Sequence, residues 1–438
     1  FQAEDGIRDV ERSRGLGDVY KRQNKDVSIS FIRDDFRTHP CESKLIAASL
    51  WFENQSYDII FNHSETFEVL DYERLKCVKR FWTDDSKQFY HLFGFTNVID
   101  VSLGSWVENK DISNIEPDNI FWLTYRNHQS MRALNYVVPL TKIIEFTRSK
   151  LIEIDKMKER LSVNRPFLIY NKRALDLAKV EKNGFSIIPN SFGTVFKNGT
   201  GYSNYNILTS TGRPSNTFSG VNMGALNKSD GTRKNIVSRF DKGMLIEFDY
   251  DAYHLRLLGN IIGYDFPIGQ SVHQYFADTV YKCSYEESKT KSFQILYGNT
   301  PFSDGNGNAF FNGISDLSKV LWEYFNANKC LKSHIYKKPF TMEDNLAVNK
   351  NKLLNYYIQS FETERNLKVI GQVNDLLRGK DTKMILYTYD SFLFDFNMND
   401  GASILKRIKN KLEDNNFPVK VKAGVNYHNM KDISEKLQ

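Results

Sequence analysis

Two stretches of the sequence each place an aspartate at the end of an apolar, strand-like run, and this pair constrains the fold most. In the first stretch, alternating apolar residues from Leu245 end at Asp249, and a helical apolar pattern follows. In the second, two β-rich runs flank Asp390, which is typical of a tight hairpin. Paired strands would hold Asp249 and Asp390 side by side, where they could bind two divalent cations. Taken singly, an aspartate at such a position is also typical of a helix cap or a turn.

A third stretch, between those two, carries a lysine and two aromatic residues at helical spacing. Lys289, Phe293 and Tyr297 stand at i, i+4 and i+8, so a helix would present all three on one face. An ammonium group suits a phosphate and aromatic rings suit a sugar and a base, so this face could bind a nucleotide. An amphipathic helix whose aromatic residues enter the core explains the same pattern without a ligand.

Together and in this order, the three stretches resemble motifs A, B and C of the family A DNA polymerases, the group of bacterial DNA polymerase I and many phage enzymes. Motif A corresponds to 249–256, where the aspartate, tyrosine, leucine and arginine of the family pattern are kept. Motif B corresponds to 289–298, with Gln294 in place of the first glycine, and motif C to 389–391, which reads Tyr-Asp-Ser. The resemblance implies an α+β fold of the polymerase right-hand type, with an antiparallel palm sheet, helical fingers and a reduced thumb. A ribonuclease-H-like α/β domain, similar to a 3′–5′ exonuclease, would precede it.

The resemblance also implies a function. The chain would be a template-directed DNA polymerase that adds dNTPs to a primer 3′ end by two-metal phosphoryl transfer with Mg²⁺, in phage DNA replication. Its partners would be primer-template DNA, dNTPs and a replication or processivity partner. The metal ligands would be Asp249, Asp390 and the Tyr250 carbonyl, and the two aspartates would be catalytic. The nucleotide-binding residues would be Lys289, Phe293, Tyr297, His273 and His254.

Two further patterns imply contacts with DNA. Residues 209–215 resemble the family's Thr-x-Thr-Gly-Arg-x-Ser motif, whose arginine is Arg213, and Asn355 and Gln359 repeat an Asn-x-x-x-Gln pattern. A guanidinium group and amides can donate to minor-groove acceptors that all base pairs share. A capped Gly-Arg turn and two polar residues on a helix face explain these patterns without DNA.

Several positions depart from the family pattern. His254 stands where the family has the glutamate that excludes a ribose 2′-hydroxyl, so the sequence leaves sugar selection open. Ser391 replaces the glutamate of motif C, and Asp251 is a nearby carboxylate that could substitute for it. His273 would contact a phosphate of the nucleotide, although a lone histidine is also typical of a surface or capping position.

Residues 1–23 are charge-dense and without periodicity, and we interpret them as a non-native tail. The resemblance divides the rest of the chain into five segments. They are a degenerate exonuclease-like domain at 24–135, a helical connector and reduced thumb at 136–210, palm at 211–263, fingers at 264–350 and palm at 351–438. Too few residues separate Gly184 from Gly212 for the long helical pair of a thumb, and they are rich in Asn, Gly and Ser. We therefore expect weak intrinsic processivity, or a partner that replaces the grip on DNA.

The exonuclease-like domain is predicted to lack proofreading. Strands are expected at 27–32, 45–52 and 57–61. Metal-dependent proofreading needs four carboxylates, and three of the four are replaced in the residues that align with them, which are Ile32, Asp34, Phe89 and Gln129. The acidic residues through which metal binding could persist are Asp34, Asp35 and Asp100.

The composition permits this interpretation and leaves alternatives open. A formal net charge of +6 suits a polyanionic partner. Four cysteines without paired spacing predict a reduced, cytoplasmic setting, the host cytoplasm if the chain is phage-encoded, and no apolar run predicts a membrane partner. A catalytically silent polymerase-like protein that binds primed DNA as a replication accessory fits the same motifs. A nuclease acting through the N-terminal domain and an RNA-synthesising variant are further alternatives.

Overall fold

The structure, a computed structural model, describes residues 26–52, 55–66, 72–110, 133–189, 191–192, 196, 199–267, 269–297, 305, 307–340, 349–414 and 416–437. The predicted tail and Gln129 lie outside these residues. The chain forms two compact units, Phe1–Ala178 and Lys179–Gln438. Within the described residues, no helix combines the length and the apolar character that crossing a membrane requires.

The N-terminal unit is built on a five-stranded mixed sheet with the order β3-β2-β1-β4-β5. Its strands are β1 Asp26–Arg33, β2 Leu45–Phe52, β3 Gln55–Ile60, β4 Arg80–Thr83 and β5 Val98–Asp100. The first three pair antiparallel, whereas β4 and β5 add in parallel. The three strands expected from the sequence are thus present, and buried side chains such as Ile29 and Phe81 form the core.

Helices cover this sheet. They are α1 Ser86–Phe93, α2 Val101–Val107, α3 Leu134–Val137, α4 Leu140–Arg160 and α5 Arg165–Asn183. Helix α4 buries an apolar stripe that includes Ile143 and Phe146, and its Thr147 hydroxyl lies 2.7 Å from that of Ser49 on β2. Most of the polar residues of α4 are exposed or partly exposed, as those of an amphipathic helix are. The division between the two compact units falls at 178, within α5.

The segment that follows α5 consists of short strands. They are β6 Phe185–Ile187, β7 Thr200–Gly201, β8 Tyr205–Asn206, β9 Ser215–Phe218, β10 Val221–Asn222 and β11 Ile236–Val237. They form two small sheets, in the orders β11-β6-β7 and β10-β9-β8. Between Gly184 and Gly212, no helix occurs among the residues that the structure describes.

An antiparallel five-stranded sheet with the order β15-β16-β12-β17-β18 forms the centre of the C-terminal unit. The remaining strands are β12 Met244–Tyr250, β13 Leu331–Lys332, β14 Pro339–Phe340, β15 Lys383–Thr388, β16 Ser391–Phe396, β17 Val419–Gly424 and β18 Met430–Asp432. Strand β12 lies in the middle, where Leu245, Ile246 and Phe248 are fully buried. This position explains its nearly continuous apolar sequence.

Six helices complete the C-terminal unit as described. They are α6 Tyr253–Ile262, α7 Val272–Phe276, α8 Tyr285–Tyr297, α9 Ala309–Asn328, α10 Lys350–Leu376 and α11 Ala402–Glu413. A second hydrophobic core, rich in Phe and Leu, is formed by residues from all five helices α6 to α10. The Asn349 side chain caps α10 by accepting a hydrogen bond from the Lys352 amide. The middle of α10 is buried even at polar residues, including Glu362 and Glu364.

Candidate active site

The sheet brings Asp249 and Asp390 to the same edge, as the sequence predicts. Strands β12 and β16 pair antiparallel with Asp249 opposite Ser391, and the Tyr250 amide donates to the Asp390 carbonyl at 2.9 Å. Asp390 follows Tyr389 in the turn between β15 and β16, and Tyr389 has a φ of 63°. Both aspartates border a cavity of about 700 Å³.

Burial and like charge act on both aspartates. Burial, followed by the charges of Asp249 and Glu362, raises the pKa of Asp390 to about 6. The pKa of Asp249 is also raised, first by burial and then by Glu247, while Lys422 opposes the shift. The sheet therefore holds two carboxylates whose ionised forms are disfavoured unless a cation joins them.

This donor set fits a hard divalent cation. Carboxylate oxygens on the rigid ends of paired strands are ligands that Mg²⁺ accepts, and the Tyr250 residue borders the same cavity. The raised pKa values indicate that the free carboxylates lack sufficient compensating charge. Asp249 and Asp390 are therefore suited to hold Mg²⁺ at this edge.

Several charged residues of the cavity were not predicted from the sequence, among them Lys422 and Glu247. Lys422 on β17 lies with its Nζ 3.4 Å from Glu247 Oε2 and 3.6 Å from Asp249 Oδ2. Glu247 precedes Asp249 by two positions on β12, so the alternation of a strand puts both on one face, and this signal was readable. Lys422 could not be found in this way, because its place depends on the β12–β17 register, in which it opposes Glu247.

Asp251 is engaged in ion pairs. Its carboxylate lies 3.4 Å from Lys420 Nζ and 3.2 Å from an Arg256 terminal nitrogen, and it accepts a bond from the Val272 amide at 3.3 Å. Burial alone would raise the pKa of Asp251, but Lys420 and Arg256 outweigh burial and lower it. Asp251 thus connects β17, α6 and α7 at the cavity wall. The Ser391 hydroxyl bonds with that of Thr388 at 2.7 Å.

Helix α8 presents Lys289, Phe293 and Tyr297 to the cavity. The Phe293 and Tyr297 rings stack with centroids 5.8 Å apart and an interplanar angle of 26°. Their exposed fractions, 41% and 38%, contrast with 2% for Ile295, which enters the core. The two rings are therefore outside the core, and of the two interpretations of this helix the exposure favours the one with a ligand.

His254 is held between α8 and α10. Its Nδ1 atom forms a hydrogen bond with the Tyr297 hydroxyl, and its Nε2 atom lies 3.2 Å from Glu362 Oε2. Arg213 approaches the same carboxylate oxygen, with its Nε at 3.0 Å. Glu362 is 1% exposed, and burial acts to raise its pKa, but His254 and Arg213 outweigh burial and lower it. Glu362 is therefore ionised at neutral pH.

The contact between Glu362 and Arg213 is an ion pair whose alignment is not that of a hydrogen bond. Among the described residues, Glu362 Oε2 and Arg213 Nε are buried without a hydrogen-bond partner, although 3.0 Å separates them. Glu362 was not predicted as a site residue, because a charged residue within a long helix usually lies on a solvated face. Only the burial of α10 on several sides identifies it.

Of the predicted DNA-binding residues, Arg213 borders the cavity, whereas Asn355 and Gln359 lie earlier on α10 and do not. The Arg213 guanidinium stacks 3.7 Å from the centre of the Tyr389 ring. Gln359 accepts a hydrogen bond of 3.4 Å from Thr211 Oγ1, which links α10 to the Gly-Arg turn. The Asn355 side-chain oxygen is buried and has no hydrogen-bond partner among the described residues.

His273 at the start of α7 is 4% exposed and borders the cavity. Burial lowers its pKa to about 4, with Lys289 and Lys420 acting in the same direction and Asp251 against it. The ring is therefore neutral at physiological pH and could donate one hydrogen bond. Its Nδ1 atom is buried without a hydrogen-bond partner among the residues described.

In the N-terminal unit, the aligned exonuclease positions do not assemble a metal site from the described residues. Ile32 and Phe89 are buried in the apolar core. Asp34 accepts a bond from the Lys44 amide at 2.9 Å. Asp100 caps α2 through the Leu103 amide, and burial, followed by the charge of Asp85, raises the pKa of Asp100 to about 7. Asp100 thus has a structural role here.

Comparison with known proteins supports the fold. No protein-family model and no curated protein matches the sequence. Among solved structures, the chain is similar to the POL domain of Pol1 from M. smegmatis in complex with DNA primer-template and dNTP. The TM-score is 0.65 at 13% sequence identity, and the similarity covers 92% of this chain and 96% of that chain. The chain therefore has the fold of a DNA polymerase POL domain.

Proposed function

We propose that the protein is a template-directed DNA polymerase that extends a primer 3′ end with dNTPs, in phage DNA replication and without proofreading. The observation that carries this proposal is the joint position of Asp249 and Asp390 in a cavity that Lys289, Phe293 and Tyr297 also border. Carboxylates, a cation and stacked rings are the groups that a nucleotidyl transfer site needs. The similarity in fold to a POL domain agrees with this function.

In this proposal, Asp249, Asp390 and the Tyr250 carbonyl hold Mg²⁺. When bound, Mg²⁺ would activate the primer 3′-hydroxyl and offset the charge that develops on the triphosphate. Lys289 binds a phosphate through its ammonium group, and neutral His273, which borders the same cavity, donates to a phosphate oxygen. These two residues approach from α8 and α7, so they also orient the triphosphate.

The sugar and base of the incoming nucleotide are assigned to the exposed rings of α8. Phe293 and Tyr297 offer a stacked surface beside the carboxylates. His254 lies next to Tyr297 and would obstruct a ribose 2′-hydroxyl in place of the family's glutamate. Glu362 is the residue that fixes the His254 ring from the opposite side. It acts through His254 and is therefore a positioning residue.

The primer-template is assigned to Arg213, Asn355 and Gln359. Arg213 lies between the carboxylate of Glu362 and the ring of Tyr389, next to the Asp390 turn. Its guanidinium group could donate to minor-groove acceptors of the terminal pair without selecting a sequence. The short strands between Gly184 and Gly212 favour a weak grip on the duplex, so a replication partner is part of the proposal.

Primer extension with Mg²⁺ tests the proposal. The purified chain should extend a labelled primer-template with dNTPs, and Asp249→Asn and Asp390→Asn should each abolish extension while DNA binding persists. An rNTP reaction run in parallel measures sugar selection. A folded chain that binds DNA but extends no primer would refute the polymerase.

One observation favours the accessory function as a second candidate. Lys422 Nζ lies 3.6 Å from Asp249, so a lysine already contributes positive charge where a metal would bind. In a silent polymerase-like protein, this lysine would replace the metal. Isothermal titration with Mg²⁺ and a dNTP in the presence of primer-template separates the two, since the accessory protein should bind DNA alone.

A further inference from the structure

A cluster of one cysteine and two histidines lies in the N-terminal unit, which the proposed polymerase chemistry does not use. His39, Cys41 and His91 each offer one ligand atom, and these atoms all lie within 4.8 Å of one another. His39 and Cys41 belong to the connection between β1 and β2, and His91 is on α1. Residues far apart in the chain therefore converge on one point.

The distances are close to those of a shared metal ion. Cys41 Sγ lies 3.3 Å from His91 Nδ1. Tetrahedral zinc with bonds of about 2.3 Å to sulfur and about 2.0 Å to nitrogen separates these ligands by about 3.5 Å. The centroids of the two imidazole rings are 5.2 Å apart, which suits two ligands of one ion. His39 Nδ1 accepts a hydrogen bond from the Cys41 amide at 3.2 Å, and His39 gives up this bond when it binds the ion. Displacements of a few tenths of an ångström bring Cys41 and His91 to coordination distance.

The connection that carries two of the ligands is rigidly built. The buried Arg33 guanidinium donates to the carbonyls of Asp35 and Thr38 at 2.6 and 2.7 Å and to the Ser43 hydroxyl at 2.8 Å. These bonds fix the connection on both sides of His39 and Cys41. A preformed ligand arrangement lowers the ordering cost of binding a metal.

The third ligand also has a rigid support. Helix α1 is capped by Asp85 and is anchored by Phe89 and Phe93, which are 0% and 3% exposed. His91 lies in its last turn, where the helix dipole favours a positive charge. Cys41 and His91 are half-buried, which leaves an ion a path from solvent, whereas His39 is 1% exposed.

We infer that His39, Cys41 and His91 form a zinc site that joins the β1–β2 connection to α1. One thiolate and two imidazoles are the soft and borderline ligands that select Zn²⁺ over Mg²⁺ or Ca²⁺. On binding, the Cys41 thiol releases its proton to solvent and the sulfur becomes a ligand, and water completes the coordination. The site lies in the unit without the nucleotide cavity, so this ion would be separate from the proposed nucleotidyl transfer.

Cobalt substitution tests the site on the full, tag-free chain. Adding Co²⁺ should produce a sulfur-to-cobalt charge-transfer band in the near ultraviolet, with saturation at one ion per chain and displacement by Zn²⁺. The band reports a cysteine ligand, so Co²⁺ bound at Asp249 and Asp390 does not contribute to it. Asp249→Asn should therefore leave the band unchanged.

Variants decide which residues hold the ion. Cys41→Ser should remove the band, because a hydroxyl can keep a hydrogen bond with His91 but does not replace the thiolate. His91→Ala should weaken Zn²⁺ binding more than tenfold, since even the loss of a residue behind a ligand costs about tenfold to hundredfold. Cys330→Ser is the matched control, a half-buried cysteine outside the cluster, and should retain both the band and the affinity.

A thermal readout keeps the inference falsifiable if a variant is unstable. Zn²⁺ should raise the melting temperature of the wild-type chain relative to a chelator, and should not do so for Cys41→Ser. Absence of the charge-transfer band in the wild type, or its persistence in Cys41→Ser, would overturn the inference. The cluster would then be a hydrogen-bonded clamp between Cys41 and His91 only.

Discussion

Glu362→Gln is the substitution that tests the described geometry most directly. Glutamine has nearly the same shape as glutamate but has no charge to pair with Arg213 and His254. Two separate properties should change, sugar selection and the pH dependence of extension. Both follow from contacts of one carboxylate that is 1% exposed.

The cost in stability follows from the burial of the partners. Removing one member of a fully buried ion pair costs about 3–5 kcal/mol when the other charge is stranded. Here the Arg213 side chain is 30% exposed and stacks on Tyr389, so its charge keeps other stabilisation. We expect a loss of about 1–3 kcal/mol. At about 2–4 °C per kcal/mol, the melting temperature should fall by about 2–12 °C.

Sugar selection should weaken in this variant, because the His254 ring loses the charge that holds it toward Tyr297. The loss of one positioning contact is worth about 1–2 kcal/mol. The ratio of kcat/KM for a dNTP to that for its rNTP should therefore fall by about 5- to 30-fold. Single-nucleotide extension on one template measures both values.

The acid limb of the pH profile should move to lower pH. The charge of Glu362 contributes to raising the pKa of Asp390 to about 6, after burial and Asp249. Protonated Asp390 does not hold a cation, so extension by the wild type should decline as the pH falls through about 6. Without the charge of Glu362, the pKa of Asp390 is lower and activity should persist further into acid.

Glu364→Gln is the matched control. Glu364 is buried on the same helix, but its carboxylate accepts from the amides of Ile335 and Tyr336 at 2.7 and 3.0 Å, away from the cavity. This variant should lose stability without a change in sugar selection or in the acid limb. An unchanged dNTP-to-rNTP ratio in Glu362→Gln would refute the positioning role. An acid limb that stays in place would refute the electrostatic link to Asp390.

Three further predictions concern the cavity. Asp390→Asn should abolish extension but raise the free energy of unfolding by about 1–3 kcal/mol at pH 7 without metal. The reason is that a carboxyl group whose pKa is raised in the folded state destabilises the fold at any pH above that pKa. Urea titration measures this gain in stability, which should vanish near pH 4. Lys422→Met should lower the Mg²⁺ concentration for half-maximal extension about two- to fivefold, since a partly exposed ion pair is worth up to about 1 kcal/mol. If the variant instead needed more Mg²⁺ than the wild type, Lys422 would not compete with the metal for Asp249. Phe293→Ala should raise the KM for dNTPs about 5- to 100-fold, because it removes a ring on which the nucleotide stacks, and should have little effect on stability. The core variant Ile295→Ala should instead lower the free energy of unfolding by about 2–5 kcal/mol, measured by thermal or urea unfolding.

Local sequence signals were sufficient for the carboxylate pair. An apolar strand that ends at Asp249 and a hairpin around Asp390 are patterns within short windows, and the sheet joins them as expected. The shared face of Lys289, Phe293 and Tyr297 follows from helical spacing alone. These features could be predicted because each depends on neighbours in the sequence.

The charged surroundings of the pair could not be predicted in this way. Lys422 reaches Asp249 only because β17 pairs with β12 in one register. Glu362 is buried because α10 is enclosed along its middle, whereas the many charged and polar residues in its sequence also fit a partly exposed helix. The extent of the N-terminal unit depends likewise on tertiary contact, since α4 packs on β1 and β2. The domain limits and the assigned roles of the site residues are still predictions.

The strained turn at Tyr389 has an evolutionary consequence. A non-glycine residue at a φ of 63° costs about 1 kcal/mol or more, and two contacts hold it there, the Arg213 guanidinium on the ring and a 2.6 Å hydrogen bond from Asn366 to its carbonyl. Replacing Arg213 would release the ring and with it the turn that aims Asp390. Substitutions at 213 and 389 are therefore epistatic, and related chains should change these two positions together, with glycine at 389 wherever the arginine is lost.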